Sequence, residues 1–338
     1  MRHFFVINPH SFRTLKSWKR IMMDLESCFS VGHRMEYKIY TSRHSRDAIA
    51  AVDRYLRSVP SDETVRVYAV GGDGILFDCL NGMVDFPNAE LTSVPYGSAN
   101  DFVRAFGEEA KHAFRDIKQL STAPSRSMDI IKCGTNYGLL EVNIGLVGKT
   151  VIDANLFLRS RSSRLISQYT SQIYSIAALK SLSNKELLNQ YYSVLMDGVD
   201  VSGNYTNIHA ANVACDGGSY VPSPYSKPDD GFLDAIFMHS DSSLKVIQVI
   251  GDRNEGKFEK HSVFEYKKFK KMDIKSELPL CMQIDGESLY AREISLELIP
   301  DGIKYFAPTG VEFADFSDHA YKGKAEETKK PHNTKAGG

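Results

Sequence analysis

Three glycines and an aspartate, Gly71-Gly72-Asp73-Gly74, follow the strand-like run Val65 to Val70 and precede a segment, Ile75 to Gly82, that reads as a helix. With no Cβ in the way, their backbone N–H groups can close on an anion. A helix starting there aims its N-terminus at a phosphate. Asp73 could orient a metal or a nucleotide hydroxyl. Asp-Gly is also common in plain turns, but the position between strand and helix favours the phosphate-binding reading. Pro95-Tyr96-Gly97-Ser98-Ala99-Asn100-Asp101-Phe102 repeats the logic after the next strand. Gly97 and Ser98 form its turn, and Asn100 and Asp101 open a helix. Alone it is an N-capped helix; two such loops at neighbouring strand ends flank one crevice.

Two acidic turns follow in the second half, Asp229-Asp230-Gly231-Phe232-Leu233-Asp234 and Ile284-Asp285-Gly286-Glu287. Carboxylate and carbonyl oxygens suit magnesium. A carboxylate near a substrate hydroxyl can act as general base in phosphoryl transfer. Each turn alone also reads as a solvated hairpin. Asn143 to Thr150 superficially resembles a P-loop, but Asn143 stands where that motif needs glycine. The ten histidines form no HExxH pattern and no cluster with cysteine, which argues against zinc. Asn204-Tyr205-Thr206 matches a glycosylation acceptor, without meaning in a cytoplasmic chain.

The elements that must position these residues alternate at first. His3 to Ile7, Met35 to Tyr40, Val65 to Val70 and Leu91 to Pro95 are expected strands. Phe12, Leu15, Trp18, Met22, Leu25 and Phe29 mark one helix face, and Ala48, Val52 and Tyr55 a second, with Ser45 as its N-cap. This order predicts an α/β N-terminal domain with a mostly parallel sheet. Ser121 to Ser127 reads as a linker. Beyond it strands dominate: Met128–Lys132, Tyr137–Asn143, Tyr192–Asp197, Ile208–Ala214, Phe232–His239, Leu278–Ile284, Ile294–Ile299 and Lys304–Ala307. With a helical insert at about 165–190, they predict a C-terminal β-sandwich-like domain. The expected division is 1–125, with about 300–317 returning to it, 126–299, and a disordered tail over 318–338.

The 338 residues suit about two domains. Lys and Arg number 41 against 42 Asp and Glu, a net charge of −1, so no global basic excess points to nucleic acid. No apolar stretch reaches the roughly 18 residues of a membrane span, and the start is too short and too soon interrupted for a signal peptide. Five scattered cysteines, an odd number without a CxxC pair, argue against a disulfide framework and for a reducing cytoplasm.

Taken in order, these landmarks resemble the diacylglycerol kinase catalytic-domain family, especially its compact bacterial soluble lipid kinases. Asn8-Pro9, Thr41, the Gly-Gly-Asp-Gly loop, Gly97 to Phe102, Asn143-Ile144-Gly145, Asp229 to Asp234 and Asp285-Gly286-Glu287 carry the likeness, which covers about residues 3 to 316. The resemblance implies ATP-dependent, Mg2+-assisted phosphorylation of a lipid hydroxyl, diacylglycerol-like, in a cleft between the two domains. By similarity, the nucleotide would meet Asn8, Pro9, His10, Ser11, Phe12, Thr41, Gly71, Gly72, Asp73, Gly74, Ile75, Asp78, Ser98, Asn100 and Asp101. Glu287 matches the general base, in one turn with Asp285. Asp230 matches a magnesium ligand, helped by the main-chain carbonyls of Lys227 and Phe232.

The chain departs from the family pattern at Ile75, Phe77 and Asp78, where Thr, Asn and Glu are usual. The lost hydroxyl at Ile75 is worth roughly 0.5–1.5 kcal/mol. Two other functions follow from the same residues. One is a catalytically degenerate nucleotide- or lipid-binding protein, and the other an NAD-kinase-like enzyme sharing Gly-Gly-Asp-Gly. A lipid substrate implies contact with a membrane surface from the cytoplasm. Arg159, Arg161 and Arg164, or Lys257, Lys260, Lys267, Lys268, Lys270 and Lys271, are candidate docking cations; solvated faces are the alternative. A homodimer is left open.

Overall fold

The computed structural model describes residues 1–12, 14–29, 37–159, 170–217, 220–240, 242–254 and 263–317. Strands β1 (Arg2–Ile7), β2 (Tyr37–Thr41), β3 (Val65–Gly71) and β4 (Ala89–Pro95) form a parallel sheet in the order β4-β3-β1-β2. β3 and β4 are buried along their whole length, as parallel strands covered on both faces must be. The crossovers are α1 (Leu15–Phe29), α2 (Asp47–Arg57) and α3 (Asp73–Met83). α1 buries Ile21, Leu25 and Phe29, and α2 buries Ala48, Val52 and Leu56, one face each at helical spacing. α3 is buried nearly all round, because it lies between the sheet and the second half of the chain.

Short helices α4 (Asp101–Arg104), α5 (Ala110–Ala113) and α6 (Ile117–Ser121) lead into β5 (Ser125–Cys133), β6 (Asn136–Gly138) and β7 (Glu141–Gly145). The helical insert comprises α7 (Leu146–Arg159), α8 (Thr170–Leu182) and α9 (Lys185–Leu188). Then come β8 (Gln190–Met196), β9 (Val199–Asp200), β10 (Gly203–Tyr205), β11 (Asn207–Ala211), β12 (Leu233–Met238), α10 (Ser243–Asn254), β13 (Phe264–Phe269), β14 (Lys271–Ile284) and β15 (Glu287–Phe306). These later strands pair mainly antiparallel around a second core that includes Val142, Ile208, Phe237 and Ile284. The two-part α/β and β-sandwich-like architecture is the one read from the sequence. β15 ties the halves together. It begins at Glu287 beside β14, and its Lys304 and Tyr305 pair in parallel with Glu90 and Leu91 of β4.

Several local expectations are corrected. The N-cap of α2 is Arg46, not Ser45, and its φ is +70°. The Asp47 carboxylate instead binds back to Arg43 N at 2.7 Å and the Tyr40 hydroxyl at 2.9 Å. Ser121 to Ser127 is no linker: Ser125 to Ser127 pair with Lys304 to Phe306. The strand expected over Tyr137–Asn143 breaks at Leu139 and Leu140, whose amides bind Asp285. The two last strands are one, bent between Ile299 and Ile303. The insert begins with α7 at Leu146, and its expected end at Gln190 is the start of β8. Met35, residues 165–169 of the expected insert and the tail 318–338 lie outside the described residues. The P-loop-like stretch is packed solid: a Cβ on Gly148 would lie 2.3 Å from the Cys281 carbonyl oxygen.

Candidate active site

The carboxyl ends of β1 to β4 carry the glycine loops. After β1, Asn8 N donates to the Val70 carbonyl at 3.0 Å, and its Oδ1 accepts His10 N at 3.0 Å to start the single turn Pro9–Ser11. Phe12 follows against Trp18 and Tyr96. Thr41 is exposed at the end of β2, opposite Ile7. The Gly71 carbonyl accepts the amides of Tyr96 and Gly97 at 2.7 and 2.8 Å, which locks the first glycine loop to the second. Asn100 closes the second loop from within: its Oδ1 accepts Gly97 N at 2.9 Å and its Nδ2 donates to Gly97 O at 2.8 Å. A Cβ on Gly97 would lie 2.3 Å from Gly72 Cα, so the two loops touch backbone to backbone. Ser98 stands exposed at the tip.

Within the first loop the side chains divide. The Asp73 carboxylate accepts Phe102 N of α4 at 3.4 Å, bracing one loop against the other, and burial raises its pKa. Ile75 is buried in the N-terminal core with its Cγ2 toward Gly71, so it offers the loop only backbone. Phe77 is fully buried and, among the described residues before 131, alone belongs to the second core. An asparagine there would bury an amide in an apolar junction; the departures at Ile75 and Phe77 thus serve packing.

Glu287 closes the site from the other domain. Its Oε1 lies 3.4 Å from where a Cβ on Gly74 would stand, and its Oε2 is 3.6 Å from Arg46 Nη2. The Arg46 guanidinium also stacks on Phe77 at 4.3 Å. Asp285 sets this turn. Its φ is +48°, and its carboxylate accepts the amides of Leu139 at 2.7 Å and of Leu140 and Glu141 at 3.0 Å. Burial nonetheless raises its pKa to about 7, with the Asp73 charge adding to the rise. α7 holds the turn from outside through Asn155 Nδ2, which donates to Gly286 O at 2.9 Å. The Tyr174 hydroxyl of α8 reaches Asn155 Oδ1 at 3.4 Å. The helical insert therefore walls the cleft.

Asp78 lies one turn into α3 and is 5% exposed, and burial raises its pKa to about 7. Arg46 opposes that rise and Glu287 adds to it. The folded chain thus holds Asp78 and Asp285 protonated at pH values where the unfolded chain has released both protons. Stability therefore falls as pH rises from about 4 to about 7 and is flat above. Asp78→Asn is expected to raise the melting temperature by several degrees at pH 8, and to leave it nearly unchanged at pH 4.5. Thermal melts at the two pH values check this; an equal shift at both would remove Asp78 as the titrating group.

Lys227, Asp230 and Phe232, the magnesium-ligand set of the sequence reading, lie in the turn that leads into β12. Lys227 lines a different cavity of about 480 Å³, with Arg126, Tyr305 and Glu312. Asp230 Oδ1 accepts Phe232 N at 3.0 Å, and its other oxygen pairs with the Lys268 ammonium at 2.5 Å. A cation at Asp230 would have to displace that lysine. Two groups escaped the sequence reading. Arg46 was hidden by the assignment of Ser45 as a cap. Asp129 binds Gly231 N and Asp301 N at 2.9 Å each, joining turns far apart in sequence.

Comparison with known proteins agrees with this architecture. Residues 2–133 match the diacylglycerol kinase catalytic domain, and residues 150–307 match the YegS C-terminal NAD kinase beta sandwich-like domain. A Staphylococcus aureus (strain Mu3) protein named "Putative lipid kinase" is 25% identical over 241 residues, 70% of this chain and 75% of that protein. Two Bacillus anthracis str. Sterne crystal structures share the fold, one described as a "putative diacylglycerol kinase" and one as a diacylglycerol kinase. The first has a TM-score of 0.71 at 22% identity, covering 92% of this chain and 98% of that one. The second has a TM-score of 0.64 at 20% identity, with the same coverage. With both domain types present in order, and the glycine loops of one facing the acidic turn of the other, the chain belongs to the diacylglycerol kinase catalytic-domain family.

Proposed function

We propose that this protein transfers the γ-phosphoryl group of ATP to the hydroxyl of a diacylglycerol-like lipid. The observation that carries the reading is the Glu287 carboxylate against the Gly74 backbone. It supports the reading because a carboxylate from one domain stands beside the glycine loop of the other. The backbone amides of Gly72 to Gly74, Ser98 and the Asn8–Phe12 turn would hold the phosphates, with Thr41 beside them. Glu287 would take the hydroxyl proton as the oxygen attacks in line. Asp73, Asn100 and Asp285 act by fixing the loops and the turn. Magnesium, when bound, neutralises phosphate charge. Asp230, with the main-chain carbonyls of Lys227 and Phe232, is the oxygen donor set that would hold it.

The acceptor side is apolar outside. Leu156 and Phe157 of α7 and Ile176 and Leu179 of α8 are exposed on the insert that walls the cleft. No described helix is long and apolar enough to cross a membrane, so a bilayer lipid would be met peripherally, from the cytoplasm. Lys267, Lys268 and Lys271 have carboxylate partners in Glu265, Asp230 and Asp273. Lys257, Lys260, Arg161, Arg164 and the Arg159 side chain lie outside the described residues. Each cation near an anionic leaflet contributes about 1 kcal/mol, and three arginines stand within six residues at 159–164. The Arg159/Arg161/Arg164→Ser variant is therefore expected to sediment with anionic vesicles several-fold less than wild type, and Ser replacements at Lys267, Lys268 and Lys271 to change little. Equal binding to neutral vesicles would contradict electrostatic docking.

The functional test uses γ-labelled ATP with Mg2+ and three acceptors: diacylglycerol in mixed micelles, total bacterial lipid extract, and NAD. Label in the lipid phase is the expected result. Label on NAD would favour the NAD-kinase-like reading, and ATP binding without transfer the non-catalytic one.

A further inference from the structure

We propose that Glu141, His209 and Asp216 form a binding site for one divalent transition-metal ion. Glu141 lies on β7 and His209 on the adjacent β11, while Asp216 follows β11. One ligand atom of each lies within 4.8 Å of the others. The separation of His209 Nε2 from Glu141 Oε2 is 3.4 Å. Two ligands at 2.0–2.1 Å on a tetrahedral ion stand about 3.3–3.4 Å apart, so this edge is already at coordination distance. Asp216, whose ligand atom stands within 4.8 Å of the other two, would close by at most about 1.4 Å.

A second observation points the same way. Glu141 is 5% exposed, no protein group outside the trio hydrogen-bonds its buried Oε2, and its near neighbours are His209 and Asp216 themselves. Its orientation is set by the opposite oxygen, which accepts the Gln283 amide, while Gln283 Oε1 accepts Gly286 N at 2.7 Å. Metal ligands are commonly oriented by such outer hydrogen bonds. Two carboxylates and an imidazole gathered out of water, facing chiefly one another, form a donor set that a cation would complete. Imidazole selects transition metals over magnesium, and the mixed N and O donors suit Zn2+ or Mn2+. Asp216 is half-buried and gives the ion a way in. The site would sit directly behind the Asp285 turn, because Asp285 N donates to Glu141 O at 3.1 Å.

The test is calorimetric titration of chelator-treated protein with Zn2+ in excess Mg2+, with no substrate present. One equivalent is expected to bind. Asp216→Asn, at a half-buried position, is expected to weaken binding at least tenfold, and His209→Ala and Glu141→Gln to abolish it. Co2+ substitution is expected to show no thiolate charge-transfer band, which separates this site from the five cysteines. Absence of saturable Zn2+ binding, unchanged affinity in Asp216→Asn, or a thiolate band would each overturn the proposal. Should the two buried variants fail to fold, Asp216→Asn and the Co2+ spectrum still decide.

Discussion

Glu287→Gln is expected to lower phosphoryl transfer by about 10²- to 10⁴-fold, the range that a positioned general base contributes. The amide keeps the volume of the side chain but cannot accept the acceptor's proton. Nucleotide affinity is expected to stay within a few-fold, since a general base acts on the acceptor and has little role in holding the donor. The fold should also hold. The Arg46–Glu287 pair spans 3.6 Å between partly exposed groups, and such pairs are worth at most about 1 kcal/mol. Steady-state transfer, ATP affinity and a thermal melt measure the three separately. Full turnover by a purified, folded variant would remove Glu287 from the chemistry.

The second large effect belongs to a methyl group. Gly97→Ala would place Cβ 2.3 Å from Gly72 Cα and 3.0 Å from Gly72 N. Both are backbone atoms, so no rotamer change relieves the clash, and the loops must part by about 1 Å. The Gly71 carbonyl then loses its paired amides from Tyr96 and Gly97. Overpacking of this kind costs about 1–3 kcal/mol. A displacement of about 1 Å in a positioning loop can cost 10²-fold in activity. Gly97→Ala is therefore expected to lose most nucleotide binding together with several degrees of melting temperature. Ser98→Ala, at the exposed neighbour, is expected to change stability little. Similar melts and affinities for the two would show that the loops do not depend on backbone contact.

The parallel sheet was legible because the strand runs of β3 and β4, buried along their whole length, each lead into a glycine-bearing loop. The turn carrying Asp285 and Glu287 was legible from its residue types alone. What escaped has a common cause: the decisive partner is distant in sequence. Nothing local to Leu139 and Leu140 says that their amides serve Asp285, some 145 residues on, and so break a strand. Ser45 was the reasonable cap from residue type, but Asp47 holds its own turn and Arg46 adopts a left-handed conformation beside Glu287. α10 and β13 were missed because their apolar patterns are weak: Leu244 and Ile247 of α10 are exposed, and β13 carries adjacent lysines. Glu141, His209 and Asp216 come together only through the pairing of β7 with β11. Their spacing in sequence carries no motif.

Hydrogen–deuterium exchange with a non-hydrolysable ATP analogue tests most directly the claim that one cleft joins the glycine loops to the Glu287 turn. Amides at 71–76, 97–102 and 285–288 are predicted to gain protection together, in wild type and in Glu287→Gln, and to lose that gain in Gly97→Ala. Protection confined to 226–232 and 312–316, around the cavity lined by Lys227, would contradict it.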